Sequence, residues 1–188
     1  MEETKAVRPL SVCVFCGASP GDDPVYLEIA YQVGEMLGRR RHRLVYGAGG
    51  TGVMGAVARG AAEHGAPITG VIPSFLRERE MSVEAPAQEM VLTKDLFERK
   101  QRMIGMADGF IVLPGGFGTL DELLEVVSMR ALGVCAQPIV LVNPGSFWNP
   151  FVDLLKHLVK RGFAPSGDSF VLADGPLDAV RHLEQRNA

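Results

Sequence analysis

The chain has 188 residues, a formal net charge of −3, 47% hydrophobic residues and 22% charged residues. This length favours a single domain, and the apolar content excludes a disordered chain. The acidic balance argues against general nucleic-acid binding, and no apolar run reaches the ~18 residues of a membrane helix. We therefore expect a disordered tail over residues 1–9 and one domain over residues 10–188, with neither a nucleic acid nor a membrane as partner. The polar start of the sequence lacks a secretory-signal pattern, which indicates a cytoplasmic protein.

Short apolar runs alternate with stretches of helical periodicity along the whole chain. The predicted strands are residues 11–16, 43–46, 68–72, 90–93, 109–113, 138–142 and 169–172. Several are apolar throughout, which is typical of parallel strands covered on both faces. The first predicted helix has Asp23 as N-cap and Pro24 as its first residue, and the others span residues 52–64, 95–107, 119–132, 147–161 and 177–185. This alternation predicts an α/β fold with a doubly wound, mostly parallel, Rossmann-like sheet of about seven strands.

The cysteines and histidines give no pattern of redox or metal chemistry. Cys13 and Cys16 have the C-x-x-C spacing of a redox pair. Residues three apart on a strand point to opposite faces, so we interpret both as buried thiols. The four histidines lie far apart, and no Cys or His pair has metal-ligand spacing, so we expect no metal.

Glycine-rich turns follow three predicted strands, at residues 16–19, 47–52 and 114–119. Glycine allows backbone amides to approach an anion closely, and a helix amino terminus after the last two turns adds positive charge. We therefore predict phosphate binding by these turns rather than simple strand-to-helix connections. The candidate binding residues of the first two turns are Gly17, Ser19, Gly49 and Gly50.

The second turn also matches the dinucleotide fingerprint G-x-G-x-x-G, through Gly47, Gly49 and Gly52. That fingerprint requires a carboxylate at the end of the next strand, but residues 71–74 contain none. The turn also follows the second strand rather than the first. An NAD-binding oxidoreductase is therefore a weaker alternative.

The third turn leads into a helix that carries several carboxylates. Thr119 and Glu122 have the spacing of a capping box, with Thr119 as N-cap. A carboxylate beside an anion-binding turn can also act on a sugar hydroxyl or a water. The spacing leaves both roles of Glu122 open, with Asp121 and Glu125 as competing candidates.

A basic partner is expected from the helix over residues 95–107, where Asp95 and Glu98 form a second capping box. An arginine at the edge of an apolar stripe, such as Arg99, usually extends into solvent. This helix nevertheless begins at the strand ends where ligands bind, and a guanidinium there suits a phosphate or a sugar. Lys100 is the next candidate.

Three elements resemble the LOG family of cytokinin-activating enzymes, the nucleoside 5′-monophosphate phosphoribohydrolases. The family hallmark P-G-G-x-G-T-x-x-E matches residues 114–122. A D-x-x-x-R-K element matches residues 95–100, and a G-x-M-G element matches residues 52–55. Order and spacing agree from about residue 11 to residue 184.

The resemblance implies hydrolysis of the bond between base and ribose 5-phosphate in AMP or an N6-modified AMP, without a cofactor. It implies that Arg99 and Glu122 are the catalytic pair and that the enzyme is a homodimer. The residues implied to bind substrate are Glu80, Lys100, Gly115, Gly116, Phe117, Gly118, Thr119 and Ser128. A non-catalytic nucleotide-binding protein is the main alternative.

Two departures from the family pattern bear on base preference. Residues 96–97 are Leu-Phe instead of the family's Met-His, and residues 129–133 are Met-Arg-Ala-Leu-Gly instead of Trp-Ala-Gln-Leu-Gly. Members have also been called lysine decarboxylases, but the sequence has no distinctive lysine for a pyridoxal Schiff base.

Overall fold

The computed structural model describes residues 8–77, 85–167 and 169–187. Seven strands in these ranges form one sheet. They are β1 (Ser11–Phe15), β2 (Arg43–Tyr46), β3 (Ile68–Pro73), β4 (Glu89–Thr93), β5 (Gly109–Val112), β6 (Ile139–Val142) and β7 (Val171–Ala173). All neighbouring pairs are parallel, in the order β4-β3-β2-β1-β5-β6-β7. The predicted α/β class and doubly wound parallel sheet are confirmed.

Helices connect the strands close to the predicted positions. They are α1 (Val25–Arg39), α2 (Gly52–Glu63), α3 (Leu96–Met106), α4 (Phe117–Ala131), α5 (Asn149–Lys160) and α6 (Pro176–Arg186), with 3-10 turns at Ser74–Leu76 and Pro144–Ser146. The predicted helix over residues 147–161 begins at Asn149, because a short turn precedes it.

The core lies on both faces of the sheet. Val12 and Val14 of β1 pack into one apolar cluster with α1, α2 and α6, whereas Cys13 and Phe15 pack into a second cluster with α3 and α4. Burial on both faces explains why the central strands are apolar throughout. Cys16 lies in the first cluster and Cys13 in the second, and both thiols are free and buried, as predicted.

The order of strands reverses at β1. β1 pairs with β2 on one side and with β5 on the other, so Val12 lies opposite both Leu44 and Gly109. The crossovers on the two sides run in opposite directions, which leaves a crevice at the carboxyl ends of β1 and β5. This crevice is the expected place for a ligand.

The caps of α1 and α3 differ in detail from the predicted ones. The Asp23 carboxylate accepts a hydrogen bond from Val25 N (2.9 Å), but α1 begins at Val25 rather than at the predicted Pro24. At α3, Asp95 accepts from Glu98 N (2.8 Å), while the Glu98 carboxylate accepts from Lys94 N instead of Asp95 N.

The predicted capping box at α4 is wrong. The helix begins at Phe117 with Gly116 as N-cap, so Thr119 lies inside the helix. Its side chain is buried against Gly115, where a Cβ would overlap the Thr119 hydroxyl. Gly115 therefore allows the chain to enter the helix earlier than the Thr-x-x-Glu spacing indicates.

Candidate active site

A cleft of about 470 Å³ lies at the reversal of strand order. Its walls come from the turn after β1, the start of α2, the β5–α4 turn, one residue of α3 and three residues of α4. This volume is in the range of small-molecule sites. Arg99 and Glu122 both line the cleft. The two side chains expected to act together therefore share one cavity.

Arg99 crosses beneath the second glycine-rich turn. Its side chain is 8% exposed, and Nη2 donates a hydrogen bond to the Gly47 carbonyl oxygen (2.9 Å). A Cβ on residue 47 would overlap Nη2. Gly47 thus makes room for the guanidinium and fixes its orientation. Sequence reasoning missed this contact, although Gly47 was visible as part of the fingerprint.

The amino terminus of α2 is occupied by the turn after β1. Met54 N donates to the Gly17 carbonyl (3.0 Å), and Val53 N donates to the Ser19 carbonyl (3.4 Å). The Thr51 hydroxyl donates to the Ala18 carbonyl (3.2 Å). The first two bonds occupy two amides at the start of α2.

The second turn is closely packed. Gly49 packs against the Met54 side chain, whose Sδ would lie 3.0 Å from an added Cβ. Gly47 lines the cleft, whereas Gly49 and Gly50 are not among its described lining residues. Glycine at position 49 therefore allows close packing, and anion binding by Gly49 and Gly50 stays a prediction.

The third turn is open. Gly116 and Gly118 line the cleft, and an added Cβ on either would meet no atom of the described residues within 4 Å. The first amides of α4 have no acceptor within their own helix, and the helix dipole makes this end positive. Gly17 N donates to the Pro114 carbonyl (3.1 Å), which joins the first turn to the third. An anion can therefore bind at the start of α4.

Glu122 places a carboxylate near the end of β1. Burial, followed by the charge of Glu122, raises the pKa of both Cys13 and Cys16, and the opposite charge of Arg99 lowers it. Both charges thus act on the floor of the cleft. With raised pKa values these thiols stay protonated and do not serve as nucleophiles.

The other predicted substrate-binding residues divide into three groups. Those that line the cleft are Gly17, Ser19, Gly115, Gly116, Gly118 and Thr119. Those placed outside its described lining are Lys100, Phe117 and Ser128, of which Phe117 is 93% exposed. Glu80 lies outside the described residues.

Two aromatic residues of the cleft were missed. Tyr26 and Phe147 both line it, and their rings meet edge to face with centroids 5.7 Å apart. Tyr26 lies in the first turn of α1, and Phe147 follows the turn after β6. Both positions lie after the carboxyl end of a strand, which is the signal that could have identified them.

The described residues contain neither a cluster that could hold a metal ion nor a membrane-spanning helix. Within residues 8–77, 85–167 and 169–187, no three His, Cys, Asp or Glu side chains are grouped in a way that could hold a metal ion. Every helix in the same ranges is too short or too polar to cross a membrane.

Comparison with known proteins identifies relatives along nearly the whole chain. A family model described as possible lysine decarboxylase matches residues 54–183. A cytokinin riboside 5′-monophosphate phosphoribohydrolase from Arabidopsis thaliana is 40% identical over 187 residues, which are 98% of this chain and 85% of the relative. A probable enzyme of the same name from Oryza sativa subsp. japonica is 40% identical over 176 residues, 93% of this chain and 72% of the relative.

Solved structures share the fold at lower identity. A molybdenum cofactor binding protein from Rippkaea orientalis has a TM-score of 0.71 and 19% identity, covering 95% of this chain and 97% of that one. The molybdenum cofactor carrier protein from Chlamydomonas reinhardtii has a TM-score of 0.70 and 18% identity, covering 95% and 98%. These structures show the fold, whereas the more similar sequences and the matching motifs show the family. The chain belongs to the LOG family of cytokinin riboside 5′-monophosphate phosphoribohydrolases.

Proposed function

We propose that this protein hydrolyses the N-glycosidic bond of purine nucleoside 5′-monophosphates, AMP or N6-modified AMP, to the free base and ribose 5-phosphate. One observation carries the proposal: Arg99 and Glu122 line the same cleft as the open amino terminus of α4. The relatives named for this activity on cytokinin nucleotides support it.

The start of α4 is the proposed phosphate site. Its first amides and helix dipole match a doubly charged group, and the glycines leave the approach open. Each charge-assisted hydrogen bond is worth about 1.5–3 kcal/mol. Several such bonds make the monophosphate a much better substrate than the nucleoside.

Glu122 and Arg99 supply the proposed chemistry. Cleavage of an N-glycosidic bond builds positive charge on the ribose ring, as in glycoside hydrolysis. The Glu122 carboxylate stabilises that charge and orients or deprotonates the attacking water. Arg99, held by the Gly47 carbonyl, orients the substrate and favours departure of the base.

Lysine decarboxylation is not supported by the residues of the cleft. No lysine is among its described lining residues. Burial lowers the pKa of Lys100, but hydrogen bonds to Asp121 and Glu125 outweigh burial and raise it. Lys100 therefore stays charged, whereas a Schiff base requires a neutral amine.

The activity is tested by incubating the protein with AMP and an N6-modified AMP and measuring free base by chromatography. Glu122→Gln is expected to lower turnover about 10²–10⁴-fold with an unchanged thermal unfolding midpoint. Glu28→Gln, on the exposed side of α1, is the matched control. Full activity of the Glu122 variant would refute its assigned role. Nucleotide binding by the wild type without base release would favour the non-catalytic alternative.

We further propose that the enzyme acts as a homodimer in the cytoplasm. Large apolar side chains are exposed on α3, on α4 and just after α4: Phe97, Phe117, Leu124 and Leu132. Exposed apolar side chains on neighbouring helices favour a protein interface. The three buried free thiols suit a reducing compartment. Sedimentation equilibrium should give twice the mass of the chain, and Leu132→Glu should lower it. A wild-type mass of one chain would refute the dimer.

A further inference from the structure

Lys100 follows Arg99 in the sequence but lines a second cavity rather than the cleft. Its Nζ donates to the carboxylates of Asp121 and Glu125, each at 3.0 Å. The lysine belongs to α3 and both carboxylates belong to α4. We call these three residues the Lys100 clamp, because they join the two helices.

The clamp is adjacent to both proposed catalytic residues. Arg99 precedes Lys100 on α3, and Glu122 follows Asp121 on α4. Residues next to each other on a helix share the rigid backbone of that helix. The clamp therefore links the two helices beside the residues Arg99 and Glu122.

The clamp is shielded from solvent on the lysine side. The Lys100 side chain is only 11% exposed, and its Nζ lies 5.7 Å from the centroid of the Phe97 ring. The Asp121 and Glu125 side chains are 62% and 45% exposed, so solvent reaches the carboxylates, while the aromatic ring adds a cation–π contact to the lysine. By contrast, the Glu98–Arg102 pair lies within α3 and does not join two helices.

We propose that Lys100 is a positioning residue that holds α3 and α4 at the separation needed for Arg99 and Glu122 to act on one substrate. This inference rests on the proposed hydrolase function. It assigns Lys100 a role different from the substrate binding that the family resemblance implies. Two of the three donors of the ammonium group then serve the protein, and the phosphate depends on the amides of α4.

The first test compares kinetic constants of Lys100→Met and Lys100→Arg with AMP as substrate. The methionine variant should lose about 10- to 100-fold in kcat, because small misplacements of reacting groups are costly, with KM changed less than about threefold. Lys100→Arg keeps the charge and should recover most of kcat. Lys156→Met removes the exposed Lys156–Asp153 pair of α5 and should leave both constants unchanged. A large rise in KM without loss of kcat in Lys100→Met would overturn the inference.

The second test leaves the lysine in place and removes its partners. The double variant Asp121→Asn/Glu125→Gln should lose kcat to a similar extent as Lys100→Met. Combining all three substitutions should cause little additional loss. If Lys100 bound the phosphate instead, freeing it from two carboxylates would preserve kcat and lower KM, which would overturn the inference. Absence of base release by the wild type would instead refute the proposed function, so the two failures are distinguishable.

Discussion

At the scale of single residues, the glycines of the site have different structural roles. Gly47 makes room for the Arg99 guanidinium, and Gly52 adopts a φ of +58°. Gly118 faces the open cleft. A sequence pattern shows that glycines are present but not which of these reasons applies. Substitutions can separate them.

Gly52→Ala should destabilise the fold. A left-handed backbone costs a residue with a Cβ about 1–3 kcal/mol, and that Cβ would also overlap the Ala18 carbonyl oxygen. Urea unfolding should show a lower free energy by at least this amount. Gly105→Ala, where a Cβ meets no described atom within 4 Å, is the control. Equal stability of the two variants would contradict the explanation.

Gly118→Ala should preserve the stability of the fold and weaken substrate binding. Residue 118 lies in the first turn of α4, and an added Cβ meets only open space, so stability should stay equal or rise by up to about 1 kcal/mol. The methyl group projects where the phosphate is proposed to bind, so KM for AMP should rise. Steady-state kinetics and urea unfolding of the same preparation test both parts. An unchanged KM would place the phosphate elsewhere.

Motif spacing predicted Arg99 and Glu122 as candidates, and the family resemblance paired them. The Arg99–Gly47 hydrogen bond was not predictable, because it joins residues 52 positions apart through tertiary packing. Thr119 was misassigned as a helix cap because Thr-x-x-Glu fits a capping box in any helix start. Only the packing of Thr119 on Gly115 shows that the helix begins earlier.

At the scale of elements, strands were predicted better than the contacts that join them. Continuous apolar runs identify β5 and β6 because both faces of these strands are buried. The exposed edge strand β7 has a weaker pattern, and it begins two residues later than predicted. Contacts between distant elements, such as a polar cluster at the amino ends of the strands, leave no local signal.

That polar cluster centres on His42. Its Nδ1 accepts a hydrogen bond from Leu10 N (3.1 Å), and its Nε2 lies 3.1 Å from the Glu184 carboxylate. Arg40 also donates to Glu184, at 2.7 Å and 2.9 Å. The contacts join β2 to the start of β1 and to α6. Because Nδ1 is an acceptor, the folded structure requires the neutral imidazole.

Acid should therefore weaken the fold through His42. Burial lowers the pKa of His42 from 6.5, and the charge of Arg40 lowers it further. The charges of Glu184 and Asp108 raise this pKa, but the net shift is downward. Below pH 6.5 the unfolded chain takes up a proton that the folded side chain does not, so stability falls with pH until the lowered pKa is reached. The loss is at most about 1.4 kcal/mol per pH unit.

Urea unfolding of wild type and His42→Asn between pH 7.5 and 5.5 tests this linkage. The variant should be less stable at pH 7.5, and the difference from wild type should narrow as pH falls. His157→Asn, at an exposed position on α5, is the control, and its free energy of unfolding should change with pH as that of the wild type does. A difference that stays constant with pH would show that His42 does not titrate as described.

At the scale of the whole molecule, one sheet connects all seven described strands. We therefore propose that the chain unfolds as a single cooperative domain. Trp148, the one tryptophan of the sequence, is 2% exposed and packs in the cluster on the α3 and α4 face. Its fluorescence and the far-ultraviolet circular dichroism should give coincident urea transitions. Separate transitions would indicate two folding units.

The bonding of α2 to the turn after β1 has a consequence for which molecules can compete at this site. A cofactor such as NAD needs a free helix start for its bridging diphosphate, and at α2 the Gly17 and Ser19 carbonyls already accept hydrogen bonds from the Met54 and Val53 amides. A phosphate group is therefore expected at the open start of α4 rather than at α2, and this preference comes from backbone bonding rather than from a blocking side chain.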